Sequence, residues 1–272
     1  MSKTWFITGT SRGFGRNWTK AALSRGDNVA AAARDVTTLK DLAEEFGDAI
    51  LPIELDITDR TAAVAAVNRA HTHFGDLDVV VNNAGYGHFG YLEEITEAEA
   101  RAQIETNVFG ALWVTQAAIP LMRAQGHGHI VQISSIGGVA GFPGLGIYNA
   151  SKWALEGFSE ALAHEVAPFG VRVTLIEPGG YATDWSTASA FRSDADPVYR
   201  GMREAVAARR AGHRPLDPDA TTSAVFAVVD ADEPPLRLLL SGAAYDMAQD
   251  VYAQRLKSWS EWESTSRSAD HV

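Results

Sequence analysis

An α/β fold, with a doubly wound seven-stranded parallel sheet and helices on both faces, is predicted by three features of this 272-residue chain. Short apolar runs alternate with longer helical patterns from one end of the chain to the other. Glycines and capping residues fall at the junctions. The strand-like runs are apolar enough to be covered on both sides, as strands of a parallel sheet are.

Trp5-Phe6-Ile7-Thr8 reads as the first strand, followed by a glycine-rich turn and a helix to roughly Leu23, stopped by Gly26. Val29 to Ala33 is the second strand, and a helix over 38–46 ends at Gly47. Ile50 to Leu55 is the third strand, with a helix over 59–73 stopped by Gly75. Leu77 to Val81 is the fourth. A long helix is predicted over 97–125, with Thr96 as N-cap and Glu99 at the capping-box position. Ile130 to Ser134, Val171 to Ile176 and Leu236 to Leu240 complete the seven strands, with helices over 148–166 and 218–229. No repeat or low-complexity linker interrupts the pattern, so residues 1–272 read as one domain. Residues 184–214, mixed in charge with Gly and Pro, read as a lid. Residues 244–262 read as a C-terminal helical extension carrying Trp259 and Trp262, and the last ten residues as disordered.

Composition narrows the chemistry. Hydrophobic residues at 46% and charged residues at 21% are ordinary for a globular protein with a large core. The chain has no cysteine, which excludes disulfides, thiolate metal sites and thiol catalysis. The formal net charge of -11 argues against nucleic acid or an anionic membrane as partner. No apolar run approaches the roughly 20 residues needed to span a bilayer. The N-terminus runs straight into a strand rather than a leader-like apolar stretch, so a cytoplasmic location is predicted. The eight histidines show no metal-ligand spacing, and no metal is expected. His127 and His129 read as loop residues.

The first strand ends in Thr8-Gly9-Thr10-Ser11-Arg12-Gly13-Phe14-Gly15. Glycines let a backbone approach a pyrophosphate closely, and the helix beyond offers free N–H groups and the positive end of its dipole. Tyr148 and Lys152, at i and i+4, share one helix face. A phenol titrates near ~10, and a neighbouring ammonium lowers that value and fits the phenol for proton transfer. Ser135 ends the fifth strand at the sheet edge where α/β proteins hold ligands, with Ser134 as the competing hydroxyl.

The set resembles the short-chain dehydrogenase/reductase family, a Rossmann-like fold. The turn resembles T-G-x-x-x-G-x-G, Asn82-Asn83-Ala84-Gly85 resembles N-N-A-G, and Tyr148-Asn149-Ala150-Ser151-Lys152 resembles Y-x-x-x-K. Ser135 lies thirteen residues before the tyrosine, and Pro178-Gly179 follows the sixth strand with Thr183 five residues past the proline. The resemblance implies hydride transfer between a nicotinamide cofactor and a carbonyl or hydroxyl carbon. Asn107, Ser135, Tyr148 and Lys152 would be catalytic, and Asn107 would hold a water linking Lys152 to solvent. The cofactor would be met by Gly9, Ser11, Arg12, Gly13, Phe14, Gly15, Asn83, Ala84, Gly85, Pro178, Gly179 and Tyr181, and by Tyr148 and Lys152 again. Asp56 and Ile57 would flank the adenine, and Thr183 would meet the nicotinamide amide.

Cofactor choice turns on the end of the second strand. Ala33 stands where NAD users place an acidic residue, and Arg34 follows it. Arg34 and Arg12 suit a 2′-phosphate, so NADP(H) is expected over NAD(H). A one-residue slip would instead bring Asp35 to the ribose.

Tyr86, His88, Phe89, Tyr91, Phe142, Tyr181 and Trp185 are candidate walls for an apolar ketone or alcohol. A 3-oxoacyl thioester reductase and a non-catalytic NADP(H) sensor are the alternatives. Where many relatives have a D-G-G turn, this chain has Ser241-Gly242-Ala243-Ala244-Tyr245 and a further thirty or so residues. That departure puts the family's tetramer in doubt, while a homodimer through the two long helices remains implied by the resemblance.

Overall fold

Alternation with a period of two divides the strands between two cores. Phe6, Ala30, Ala32, Val80 and Ile130 face one side, and Trp5, Ile7, Val29, Ala31, Ala33, Val81 and Val131 the other. The computed structural model describes residues 2–187, 189–212 and 214–270. The strands are β1 (Thr4–Thr8), β2 (Asn28–Ala33), β3 (Ile50–Glu54), β4 (Val79–Asn82), β5 (Gly128–Ile133), β6 (Val171–Pro178) and β7 (Arg237–Leu240). They form one parallel sheet in the order β3-β2-β1-β4-β5-β6-β7. The order reverses between β1 and β4, which opens a crevice at the carboxyl ends of the strands.

The helices are α1 (Gly13–Ser24), α2 (Lys40–Phe46), α3 (Arg60–Phe74), α4 (Glu97–Ile104), α5 (Ala111–Gln125), α6 (Gly146–Val166), α7 (Arg200–Arg210), α8 (Thr222–Asp230), α9 (Gly242–Glu261) and α10 (Glu263–Ser268). Residues of α3, α5 and α6 pack on the first face, those of α1, α2 and α8 on the second. The alanines of β2 let helices on both faces come close. Trp18 of α1 is fully buried, and its indole N–H donates to Thr221 Oγ1 at 2.9 Å, which satisfies the one polar atom of a large apolar ring.

The helix predicted over 97–125 is in three parts. Thr96 and Glu99 form the capping box, α4 follows, a π-helical stretch occupies Glu105–Gly110, and α5 continues to Gln125. Such stretches displace the i→i−4 ladder by a residue and often sit at functional sites; this one carries Asn107. Residues 184–214 contain a short turn (Asp184–Ser186), a strand (Phe191–Arg192) and α7, with parts outside the described residues. That strand pairs with His88–Phe89 in a small ribbon.

Two expectations are corrected. Residues 263–268 of the tail are helical rather than disordered, with Arg267 paired to Glu263 one turn away; 271–272 lie outside the described residues. Trp259 and Trp262 of the extension are each 63% exposed. His129 is not a loop residue. It is buried in β5, with Nε2 2.9 Å from Thr174 Oγ1. Thr174 donates its own proton to Pro235 O at 2.8 Å, so His129 Nε2 must be the donor.

Burial pushes the His129 imidazole down to about 4. Between that value and ~6.5 the unfolded chain binds more protons than the folded one, so stability is complete above pH ~6.5 and is lost as pH falls. The expected loss at this site is about 3 kcal/mol by pH 4. Urea unfolding from pH 7 to 4 should show that slope reduced in His129→Gln, which keeps a side-chain donor for Thr174. An equal slope in both proteins would remove His129 as the cause.

Candidate active site

The first wall of the crevice is the turn between β1 and α1. Gly9 and Gly13 have φ of +71° and +58°, conformations that side chains resist. A Cβ on Gly9 would stand 2.9 Å from Ala84 Cα, and one on Gly15 2.4 Å from Gly9 O, so the turn closes only with glycine there. Asn83 braces it: Nδ2 donates to Thr8 O and Gly9 O at 2.9 and 3.0 Å. Thr8 Oγ1 in turn accepts from the backbone N–H of Asn83 and of Ala84, both at 3.0 Å. No side chain caps the start of α1, and its first turn holds no acidic residue. The leading N–H groups therefore face the crevice without a side-chain acceptor, which fits the pyrophosphate of a dinucleotide. Ser11 stands in the same turn. Phe14 stacks on Trp18 with centroids 5.1 Å apart, and Tyr181 meets Phe14 edge-on at 5.3 Å.

At the outer end of this wall Arg34 is exposed just past β2. Asp35 is turned away to accept from Thr37 N and Oγ1 at 2.9 and 2.6 Å. Asp56 likewise accepts from Thr58 N and Oγ1 at 3.0 and 2.8 Å, and these bonds hold its carboxyl below the usual range, with Arg34 adding to the effect. Ile57 buries its side chain against Gly110 of the π-helical stretch, where an added Cβ would stand 2.5 Å from Ile57 Cδ1. Arg12 makes a loose, half-exposed pair with Asp184 at 3.7 Å, a contact of little energetic weight. Pro178 ends β6. Gly179 N–H donates to Leu240 O at 3.1 Å, and Thr183 lies 3.8 Å from where a Cβ on Gly13 would stand.

Opposite stands α6. Tyr148 and Lys152 are both buried on its inner face. Lys152 Nζ donates to Ile133 O at 2.7 Å and lies 5.9 Å from the Tyr148 ring centroid. Ser135, rather than Ser134, stands beside Tyr148: a Cβ on Gly137 would lie 3.1 Å from Tyr148 Cε1 and 3.3 Å from Ser135 Oγ, and that Oγ accepts from Gly137 N at 3.0 Å. Ser134 Oγ is buried elsewhere. Asn107 is held on three sides. Oδ1 accepts from Tyr86 N at 3.1 Å, and Nδ2 donates to Tyr86 O and Ser151 Oγ at 3.0 and 3.1 Å. A Cβ on Gly85 would stand 3.1 Å from Asn107 Oδ1 and 3.8 Å from Lys152 Nζ, so a glycine there keeps these two polar groups close.

The electrostatics differ from the sequence-based expectation. Burial pushes the Tyr148 phenol up to about 12, with the Ser135 hydrogen bond opposing, so desolvation outweighs the lowering expected from Lys152. Burial also pulls Lys152 down to about 8, with Glu156 acting the other way. A phenol that stays protonated at neutral pH is ready to donate its proton, and the phenolate left behind is the group that would take one back in the reverse direction.

Over Tyr148 lies Trp185, its ring 4.9 Å from the phenol ring and 5.2 Å from Phe89. It fits because residue 87 is glycine: a Cβ there would stand 2.6 Å from the indole. Two other candidate wall residues are engaged differently. His88 turns inward to Ser193 Oγ at 2.8 Å, and Tyr91 stacks on Tyr199 at 4.1 Å. Tyr91 and Phe142 instead line a separate hollow of about 370 Å³ with Leu92 and Pro143. Sequence reasoning passed over Thr8, Asn149 and Ser151. Asn149 Nδ2 donates to Gly137 O at 3.0 Å and its Oδ1 accepts from Phe142 N at 2.9 Å, which shapes the loop beyond β5. Asn149 and Ser151 sit where Y-x-x-x-K has only spacers. Their polarity inside a buried helix was the available signal.

A glycine cradle at a helix N-terminus, facing a buried Ser–Tyr–Lys cluster across a sheet's switch point, defines a dinucleotide-type α/β enzyme. The family described as short chain dehydrogenase matches residues 3–192, and the chain belongs to this family of oxidoreductases. It is 40% identical over 268 residues to an oxidoreductase, BOA17, of Botryotinia fuckeliana, covering 96% of this chain and 98% of that one. A short-chain dehydrogenase structure from Streptomyces avermitilis aligns with TM-score 0.92, 38% identity and 99% coverage of both chains. An alcohol dehydrogenase from the archaeon Thermococcus sibiricus, complexed with 5-hydroxy-NADP, aligns with TM-score 0.74 and 27% identity over 88% of this chain and 96% of that one. Among the described residues no helix is long and apolar enough to cross a membrane.

Proposed function

We propose that this chain is an NADP(H)-dependent oxidoreductase that interconverts a carbonyl and a secondary alcohol, with Tyr148 as acid/base and an apolar ketone or alcohol as substrate. The observation that carries the reading is the convergence of Ser135, Tyr148 and Lys152 at the sheet's switch point, with Ser135 Oγ and the Tyr148 ring both against Gly137 and Lys152 Nζ 5.9 Å from the ring centroid. A substrate oxygen placed there accepts from Ser135 and Tyr148. As negative charge develops on it, Tyr148 gives up its phenolic proton. The Lys152 ammonium stabilises the phenolate left behind. Asn107, fixed by Tyr86 and Ser151, would hold a water by which Lys152 recovers a proton. When bound, the nicotinamide supplies or accepts the hydride. The pyrophosphate would rest on the Gly9–Gly15 turn, with Ser11, Ala84 and Gly85 alongside. Arg12 and Arg34 would grip a 2′-phosphate, and the engagement of Asp35 with Thr37 favours them over a ribose-binding carboxylate. Asp56 and the Ile57 backbone would border the adenine, and Pro178, Gly179, Tyr181 and Thr183 the nicotinamide end. The NADP analogue bound to the Thermococcus sibiricus enzyme supports this choice.

Loss of reduced-nicotinamide absorbance with NADPH, across ketones, diketones, steroids and 3-oxoacyl thioesters, tests the reading. Turnover of an apolar ketone supports it. Tight NADPH binding with no turnover of any class contradicts it. Trp185 sets the space above Tyr148, so Trp185→Ala should raise kcat/KM for bulky ketones relative to small ones by about tenfold or more. An unchanged ratio would mean that the indole does not border the substrate.

A further inference from the structure

Behind Lys152 lies a second group of ionisable side chains that the proposed chemistry does not use. Glu156 follows Lys152 by one helical turn on the same buried face of α6. Glu177 reaches it from β6 and Arg237 from β7. Arg237 Nε is 2.8 Å from Glu156 Oε2 and 3.7 Å from Glu177 Oε1, and Arg237 Nη2 is 2.6 Å from Glu160 Oε2. One guanidinium thus serves three carboxyl groups. Glu156 Oε1 and Glu177 Oε1 are both buried with no donor among the described residues, and both side chains approach the same Arg237 Nε. A proton shared between two carboxyls that converge on one nitrogen supplies the missing donor and removes their mutual repulsion. The charged and titratable groups facing this cluster are Tyr148, Lys152, Glu156 and Glu160 from α6, Glu177 from β6 and Arg237 from β7.

We propose that Glu177 is the protonated member of a shared-proton pair, that it donates to an ionised Glu156, and that the Glu156 charge is the positioning group that keeps the buried Lys152 charged. The role given to Lys152 rests on the reading above. The pairing itself stands on the guanidinium nitrogen that both carboxyls approach and on their two buried oxygens without a donor. Counting charges, Arg237 and Lys152 then balance Glu156 and Glu160, and no net charge is left in the interior. The electrostatics agree in direction. Burial and the neighbouring Glu156 push Glu177 well up, and Glu156 opposes the desolvation that lowers Lys152. Arg237 Nε hydrogen-bonds Glu156 at 2.8 Å but stands 3.7 Å from Glu177, so the two carboxyls are not interchangeable.

The test is NMR titration of protein labelled at lysine 13Cε, with the Lys152 resonance assigned by its absence in Lys152→Arg. This readout needs no turnover. The resonance is expected to titrate about one pH unit lower in Glu156→Gln, the size a single charge one turn away produces in a semi-buried site. It should return towards the wild-type value in Glu156→Asp, and it should stay near that value in Glu177→Gln, whose amide mimics the protonated acid. Equal shifts in Glu156→Gln and Glu177→Gln, or no shift in either, would overturn the pairing. The alkaline limb of NADPH-dependent ketone reduction should move down with the Lys152 titration in Glu156→Gln. A limb that stays put while the resonance moves would leave the pair intact and remove Lys152 from the reaction.

Discussion

Tyr148→Phe is expected to lower kcat for ketone reduction by about 10³-fold, with a far smaller change in NADPH affinity. The substitution removes one hydroxyl from a ring wedged between Trp185 and the loop after β5, so the packing that holds the ring survives. What disappears is the phenolic proton beside Ser135, where a substrate oxygen would lie. With the phenol pushed up to about 12, the wild-type enzyme keeps its donor across the neutral range. The pH dependence of reduction should then follow Lys152, with activity falling above about pH 8 as the ammonium deprotonates. Steady-state rates together with fluorescence titration of NADPH separate the two effects. Residual activity within about tenfold of wild type would assign the proton to another group.

The second large effect concerns cofactor choice. The double variant Arg12→Ala/Arg34→Ala is expected to weaken NADPH binding by about 10²-fold, because two charge-assisted contacts to phosphate are lost from exposed positions. NADH lacks the 2′-phosphate and should bind with little change. The Arg12–Asp184 pair does not stand in the way, since a half-exposed contact at 3.7 Å gives up little when Arg12 turns to a phosphate. Isothermal titration with both nucleotides reads the ratio. Equal losses for NADPH and NADH would place the arginines on the shared part of the cofactor or in the fold.

The sheet could be read from the chain because each strand carries its own signal: an apolar run, then glycine or a cap. The shared face of Tyr148 and Lys152 was readable from helix geometry, whereas Ser135 was singled out by the resemblance of its spacing to the family's. Features that depend on crowding could not be read. Asn107 lies on a π-helical stretch that no local residue preference marks, and burial reversed the expected direction for the Tyr148 phenol. His129 was misplaced because flanking glycines suggest a loop, whereas Gly128 opens β5 with Met122 packed where a Cβ would be. Glu156 and Glu177 are 21 positions apart on different elements, and only the fold brings both to Arg237.

The central claim is hydride transfer at this site, and isotope tracing tests it most directly. NADPH carrying deuterium at the transferable position of the nicotinamide should, with an apolar ketone, yield an alcohol deuterated at the carbinol carbon. Mass spectrometry would find that label with the wild-type protein and lose the product with Tyr148→Phe. An unlabelled alcohol, or no alcohol from any ketone under saturating NADPH, would contradict the account.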